Sequence, residues 1–191
     1  MWWAQLLNNI VALLGNGSGG GGSSYESIAT VTAAGGETSF TFSSIPSTYK
    51  SLQIRGIVRN TNASTGWTGL KVQPNNATST YADHRLSGNG TTVSASNGPG
   101  RAYGLVDNTV PRDGNTASVF GAAIIDVIDY ASTSKAKTFR NLTGVDINGT
   151  GIVNLTSFLW TDTTAISSIV LSPETDAFKA GTTFALYGIK G

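Results

Sequence analysis

Cysteine is absent from the 191-residue chain, which excludes disulfide frameworks, thiolate metal sites and a cysteine nucleophile. Histidine is reduced to His84 alone, so no imidazole cluster can hold a transition metal. Charge is scarce as well: charged residues make up 12% of the chain and the net charge is +1. The 12 Lys and Arg are scattered from Lys50 to Lys190 without a cluster, and a chain with no basic patch is not expected to bind nucleic acid. No Lys or Arg precedes Lys50, so the apolar opening lacks the basic region of a secretory signal. It is also shorter than the roughly 20 apolar residues of a membrane span, and none is expected.

What the chain has instead is 46 Ser and Thr together with 24 Gly, a composition that suits strands joined by many turns. Residues 1–14, MWWAQLLNNIVALL, differ from the rest. Trp3, Leu6, Leu7, Ile10, Leu13 and Leu14 fall on one helical face, Trp2 adds bulk, and Gly15 supplies a stop signal. A helix this short is marginal alone and needs a partner surface. These seven side chains are therefore the expected anchoring or oligomer contacts. The run 15–24, GNGSGGGGSS, contains G-x-G-x-x-G at Gly15, Gly17 and Gly20, but it follows a helical pattern where a dinucleotide loop must follow a strand. A flexible tether is the expectation, and no cofactor is expected.

From residue 25 to 191 the period is two. In SLQIRGIVR, Leu52, Ile54 and Val58 alternate with Gln53, Arg55 and Arg59, the pattern of a half-buried strand. FTF at 40–42, GLKVQ at 69–73, VNLTSFLW at 153–160 and segments at 166–171 and 183–190 read alike. VFGAAIIDVIDY, 119–130, is almost continuously apolar and reads as a central strand buried on both faces. Turn signals at 60–66, 74–80, 87–92, 96–100, 111–115 and 146–151 separate them. About eight strands on this plan predict an all-β antiparallel sandwich of the jelly-roll kind, behind a short N-terminal helix.

Catalytic patterns are thin. His84 stands without a G-x-S-x-G elbow. Asp126 and Asp129 are three apart and point to opposite faces of a strand, so spacing places no acid pair together for glycoside hydrolysis. DINGTG at 146–151 resembles the start of a calcium loop, yet Ser157 stands where the bidentate Glu is needed; Asn148-Gly149 predicts a hairpin, and no metal site is expected. Trp67, Tyr81, His84, Arg85 and Tyr103, with Arg101, fall in or beside polar segments and are the candidate ligand contacts.

SYESIATVT (24–32), FTFSSIPSTYKSLQIR (40–55), VIDYASTSKAKTFRNLTG (127–144) and FALYGIKG (184–191) resemble a group of small virion proteins of tailed bacteriophages, variously termed tail-fibre, minor tail or virion structural proteins. Some similar proteins also open on a short apolar stretch. The resemblance implies a non-enzymatic component of the virion, multicopy and often trimeric, whose partners are other virion proteins, its own copies, and a glycan or protein of the host surface. Two alternatives stand beside the tail appendage: a capsid decoration protein, and a tail-associated enzyme acting on polysaccharide.

Overall fold

The computed structural model describes residues 24–191, in which twelve strands form two antiparallel sheets. In chain order they are β1 (Tyr25–Thr32), β2 (Phe40–Phe42), β3 (Ser51–Val58), β4 (Trp67–Pro74), β5 (Tyr81–Gly88), β6 (Val93–Arg101), β7 (Gly104–Pro111), β8 (Gly121–Ile128), β9 (Lys137–Asp146), β10 (Gly151–Trp160), β11 (Ile169–Pro173) and β12 (Thr183–Ile189). The larger sheet runs β1-β12-β3-β8-β9-β10-β5-β6 and the smaller β2-β11-β4-β7. Among the described residues there is no helix, and none long and apolar enough to cross a membrane. The helix expected at 1–14 and most of the tether lie outside the described residues.

The two sheets close on a shared core because strand alternation sends one apolar row from each inward. Leu52, Ile54, Ile125, Val127, Phe139, Phe158, Trp160, Phe184 and Leu186 come from the larger sheet, and Phe42, Leu70, Val72, Val106, Ile169 and Leu171 from the smaller; all are buried. Phe139 and Phe158 stack at 4.3 Å between ring centres. The two ends of the described residues meet in this frame, since Tyr25 pairs with Ile189.

Two local features differ from the sequence reading for physical reasons. SNGPG at 96–100 lies within β6, where a turn was expected. β6 is an edge strand, so Pro99 removes no ladder bond that a neighbour needs. Gly98 opposes Asp83, and a Cβ there would stand 2.5 Å from the Asp83 carboxylate and closer still to Arg101 Nε. Arg59, expected to face outward, is buried just past the end of β3. Its guanidinium donates to the carbonyls of Thr116 (2.9 Å), Val119 (2.6 Å), Asp113 (3.0 Å) and Asn115 (3.1 Å) and to the Asp113 carboxylate (3.3 Å), holding the 112–119 loop. A planar five-donor fork suits that task.

DINGTG is a hairpin turn. Asn148 and Gly149 both have positive φ, 65° and 114°, and Ile147 N donates to Thr150 O at 2.9 Å, closing a tight two-residue connection between β9 and β10.

Candidate functional site

β8 alternates strictly: Gly121, Ala123, Ile125 and Val127 are buried, while Ala122, Ile124 and Ile128 are exposed. The expectation of burial on both faces is therefore corrected. The sheet has one packed face, and its outer side chains are aliphatic all the same. The same holds across its neighbours. Leu142, Val153, Leu155, Leu159, Leu86, Val93 and Ile57 are exposed at between 36% and 74%.

The register aligns these residues into rows that cross the sheet. Arg55, Ile124, Leu142, Leu155, Leu86 and Ala95 are successive partners from β3 to β6. One step along the strands, Ile57, Ala122, Gly144, Val153, Gly88 and Val93 form a second row of the same kind. One step the other way the row turns polar: Gln53, Asp126, Arg140, Ser157, His84 and Asn97. Here Gln53 donates to Asp126 at 2.8 Å, Arg140 to Asp126 at 3.0 Å, and Arg55 to Gln53 at 2.7 Å. The Arg55 guanidinium also lies 4.9 Å from the ring centres of both Tyr25 and Tyr187.

The result is an aliphatic band bordered on one long side by hydrogen-bonded charge. Its surface is uneven. A hollow of about 680 Å³ opens where Gly88, Gly144 and Gly151 leave space beside Val153, and another of about 240 Å³ lies between Leu86, Val93, Leu142 and Leu155. Finishing the burial of one half-exposed aliphatic side chain contributes on the order of 1 kcal/mol, so the band is a strong driving surface for association.

The expected ligand contacts do not gather at one place. Tyr81 is a core residue, 1% exposed, with its ring against Phe158 and Trp160 and its hydroxyl donating to Ala77 O at 3.2 Å; burial raises its pKa. Trp67 is half-buried at the start of β4. His84 stands exposed on the outer face, while Arg85, the next residue, turns inward.

Arg85 and Tyr103 do converge, on a carboxylate group between the sheets. Arg85 bridges Asp83 (3.2 Å) and Asp107, and Arg101 also binds Asp83. Tyr103 donates to Glu174 at 2.7 Å, and burial together with that carboxylate pushes its pKa up to about 12. Burial raises the Asp107 carboxyl against the opposing pull of Arg85. Asp83 and Asp107 are 24 positions apart in sequence, so only the fold could bring them to one arginine. Each carboxylate is engaged by a cation or a phenol, an arrangement that holds β5, β6, β7 and the residue after β11 together. Among the described residues, no group of three His, Asp or Glu side chains is arranged to hold a metal ion.

Comparison of the chain with protein-family models, curated proteins and solved structures finds no match.

Proposed function

We propose that the chain is a non-enzymatic structural component of a tailed-phage virion, a β-sandwich appendage that works by surface contact. The observation that carries this reading is the outer band of the larger sheet: a broad aliphatic surface suited to protein association. The sequence resemblance supplies the setting. The strand order supports a jelly-roll reading of the fold. Without the β5-β6 and β9-β10 hairpins, the order is β1-β12-β3-β8 facing β2-β11-β4-β7, two interlocked Greek keys.

In this reading residues 1–14 attach the protein to the particle through Trp2, Trp3 and the leucines, 15–24 act as a tether, and the sandwich projects outward to other virion proteins or the host surface. Deletion of residues 1–24 tests it. The truncated protein is expected to fold and to be missing from purified particles. Incorporation at the full-length level overturns the attachment.

A further inference from the structure

We infer that the outer faces of two copies of this chain pack against each other about a two-fold axis that runs parallel to the strands, between β9 and β10. The inference stands on the surface itself and is independent of where on a particle the protein sits.

Size is the first argument. Seven large aliphatic residues in the band's two rows are at least a third exposed. Together they present several hundred Å² of apolar surface, on the scale of the ~800 Å² that each partner contributes to a standard interface. Single soluble chains rarely leave so much contiguous apolar surface uncovered.

Self-complementarity is the second. An isologous contact must satisfy residue i against j and j against i at once. A two-fold between β9 and β10 exchanges those strands, and likewise β8 with β5 and β3 with β6. In the central row it sets Leu142 against Leu155 and Ile124 against Leu86. In the second row it sets Val153, 58% exposed, against Gly144, which leaves the hollow that a projecting side chain fills, Ala122 against Gly88, and Ile57 against Val93 at the margin. Bulk thus meets space at the centre of the row, and aliphatic meets aliphatic at its edge.

Charge gives the third argument. The same operation brings Asp126 opposite His84, Arg140 opposite Ser157 and Arg55 opposite Ala95, so no like charges face each other. An axis moved half a strand onto β9 would set Arg140 against itself, and one on β10 would oppose Val153 to Val153. The axis between them avoids both conflicts.

The test is the mass of the full chain in solution, with Leu142→Glu and Leu155→Lys as variants. Both positions are exposed, so the fold should tolerate either change. Wild type is expected at an even multiple of the 19.7 kDa chain, and each variant at half the wild-type mass. Mixing the two variants should restore the full mass, because the carboxylate introduced in one copy then meets the ammonium introduced in the other, while leucine meets leucine at the second contact. Should either variant fold poorly by circular dichroism, Val153→Arg, aimed at the hollow beside Gly144, is expected to halve the mass in its place. A monomeric wild type, a mass unchanged in the variants, or variants that do not combine on mixing would each overturn the inference. Particle incorporation is read separately, so loss of the proposed attachment through residues 1–14 leaves this result distinct.

Discussion

Lys137 has no exposed surface, and its ammonium donates to the carbonyls of Ser132 (2.8 Å), Lys135 (2.6 Å) and Thr163 (3.0 Å). One side chain thereby ties the loop before β9 to the loop after β10. Desolvation lowers its pKa, opposed by Asp162 and Asp129. Replacing it with methionine keeps the apolar stem and strands three carbonyls, a loss of about 2–4 kcal/mol measured as a lower urea midpoint. The sign of the pH effect follows from linkage. A lysine with a lowered folded pKa binds fewer protons when folded, so its contribution to stability rises as pH climbs from that pKa toward the ordinary 10.5. The difference in stability between wild type and Lys137→Met should widen over that window.

At the scale of the element, the β9-β10 hairpin carries the centre of the outer band, and its turn depends on one residue. Gly149→Ala forces a side chain into φ of 114°, at a cost of about 1–2 kcal/mol. The expected result is a lower melting temperature, with hydrogen exchange accelerated first at the β9-β10 turn. The edge strand β1 is fastened differently. Glu26 accepts from the Tyr49 hydroxyl at 3.0 Å and pairs with Lys190 at 2.6 Å, and these contacts, Lys190 foremost, hold its carboxyl below the ordinary 4.5. A depressed carboxyl contributes stability that is complete above 4.5 and lost as pH falls through the folded value. Protection of β1 amides, taken as their exchange relative to the intrinsic rate at the same pH, should therefore fall below pH 4.5 in wild type, and Glu26→Gln should remove the carboxyl's part of that dependence.

Strands whose two faces differ in polarity were legible in the sequence, as Leu52 and Ile54 beside Gln53 and Arg55 show. β8 was misread because exposed Ile124 and Ile128 have the same chemistry as buried Ile125 and Val127; polarity cannot report which side of a sheet is covered when both sides are aliphatic. The outer band went unseen for the same reason, since its rows exist only once six strands are in register. β6 was hidden by Pro99, Gly98 and Gly100, residues whose turn propensity an edge strand beside an ion pair overrides. Arg85 and Tyr103 stand out in the sequence only as candidate ligand contacts; Asp83 lies two residues from Arg85 on β5, but Asp107 and Glu174 come from distant segments that only the fold brings to them.

For the molecule as a whole, the stability of the sandwich rests on contacts between the two ends of the described chain. β12 is inserted between β1 and β3 and brings Phe184 and Leu186 into the core, with Phe184 packed edge-on against Phe40 and Phe178. Removing it would leave β1 without a neighbour, open the ladder of β3, and take two large apolar side chains out of the centre. Losses of several kcal/mol accompany each large buried side chain removed from a core, and a domain of this size has only about 5–15 kcal/mol to lose. A chain ending at Thr182 should therefore show no cooperative unfolding transition and an exposed-tryptophan fluorescence spectrum, because Trp160 is buried only in the closed sandwich. A chain lacking residues 1–24 should keep both the transition and the buried-tryptophan signal, since the residues from Tyr25 onward close a core among themselves. If the first truncation melts cooperatively, β12 is an accessory strand and the core closes without it; if the second does not melt cooperatively, residues 1–24 belong to the fold and cannot serve as a separate attachment segment.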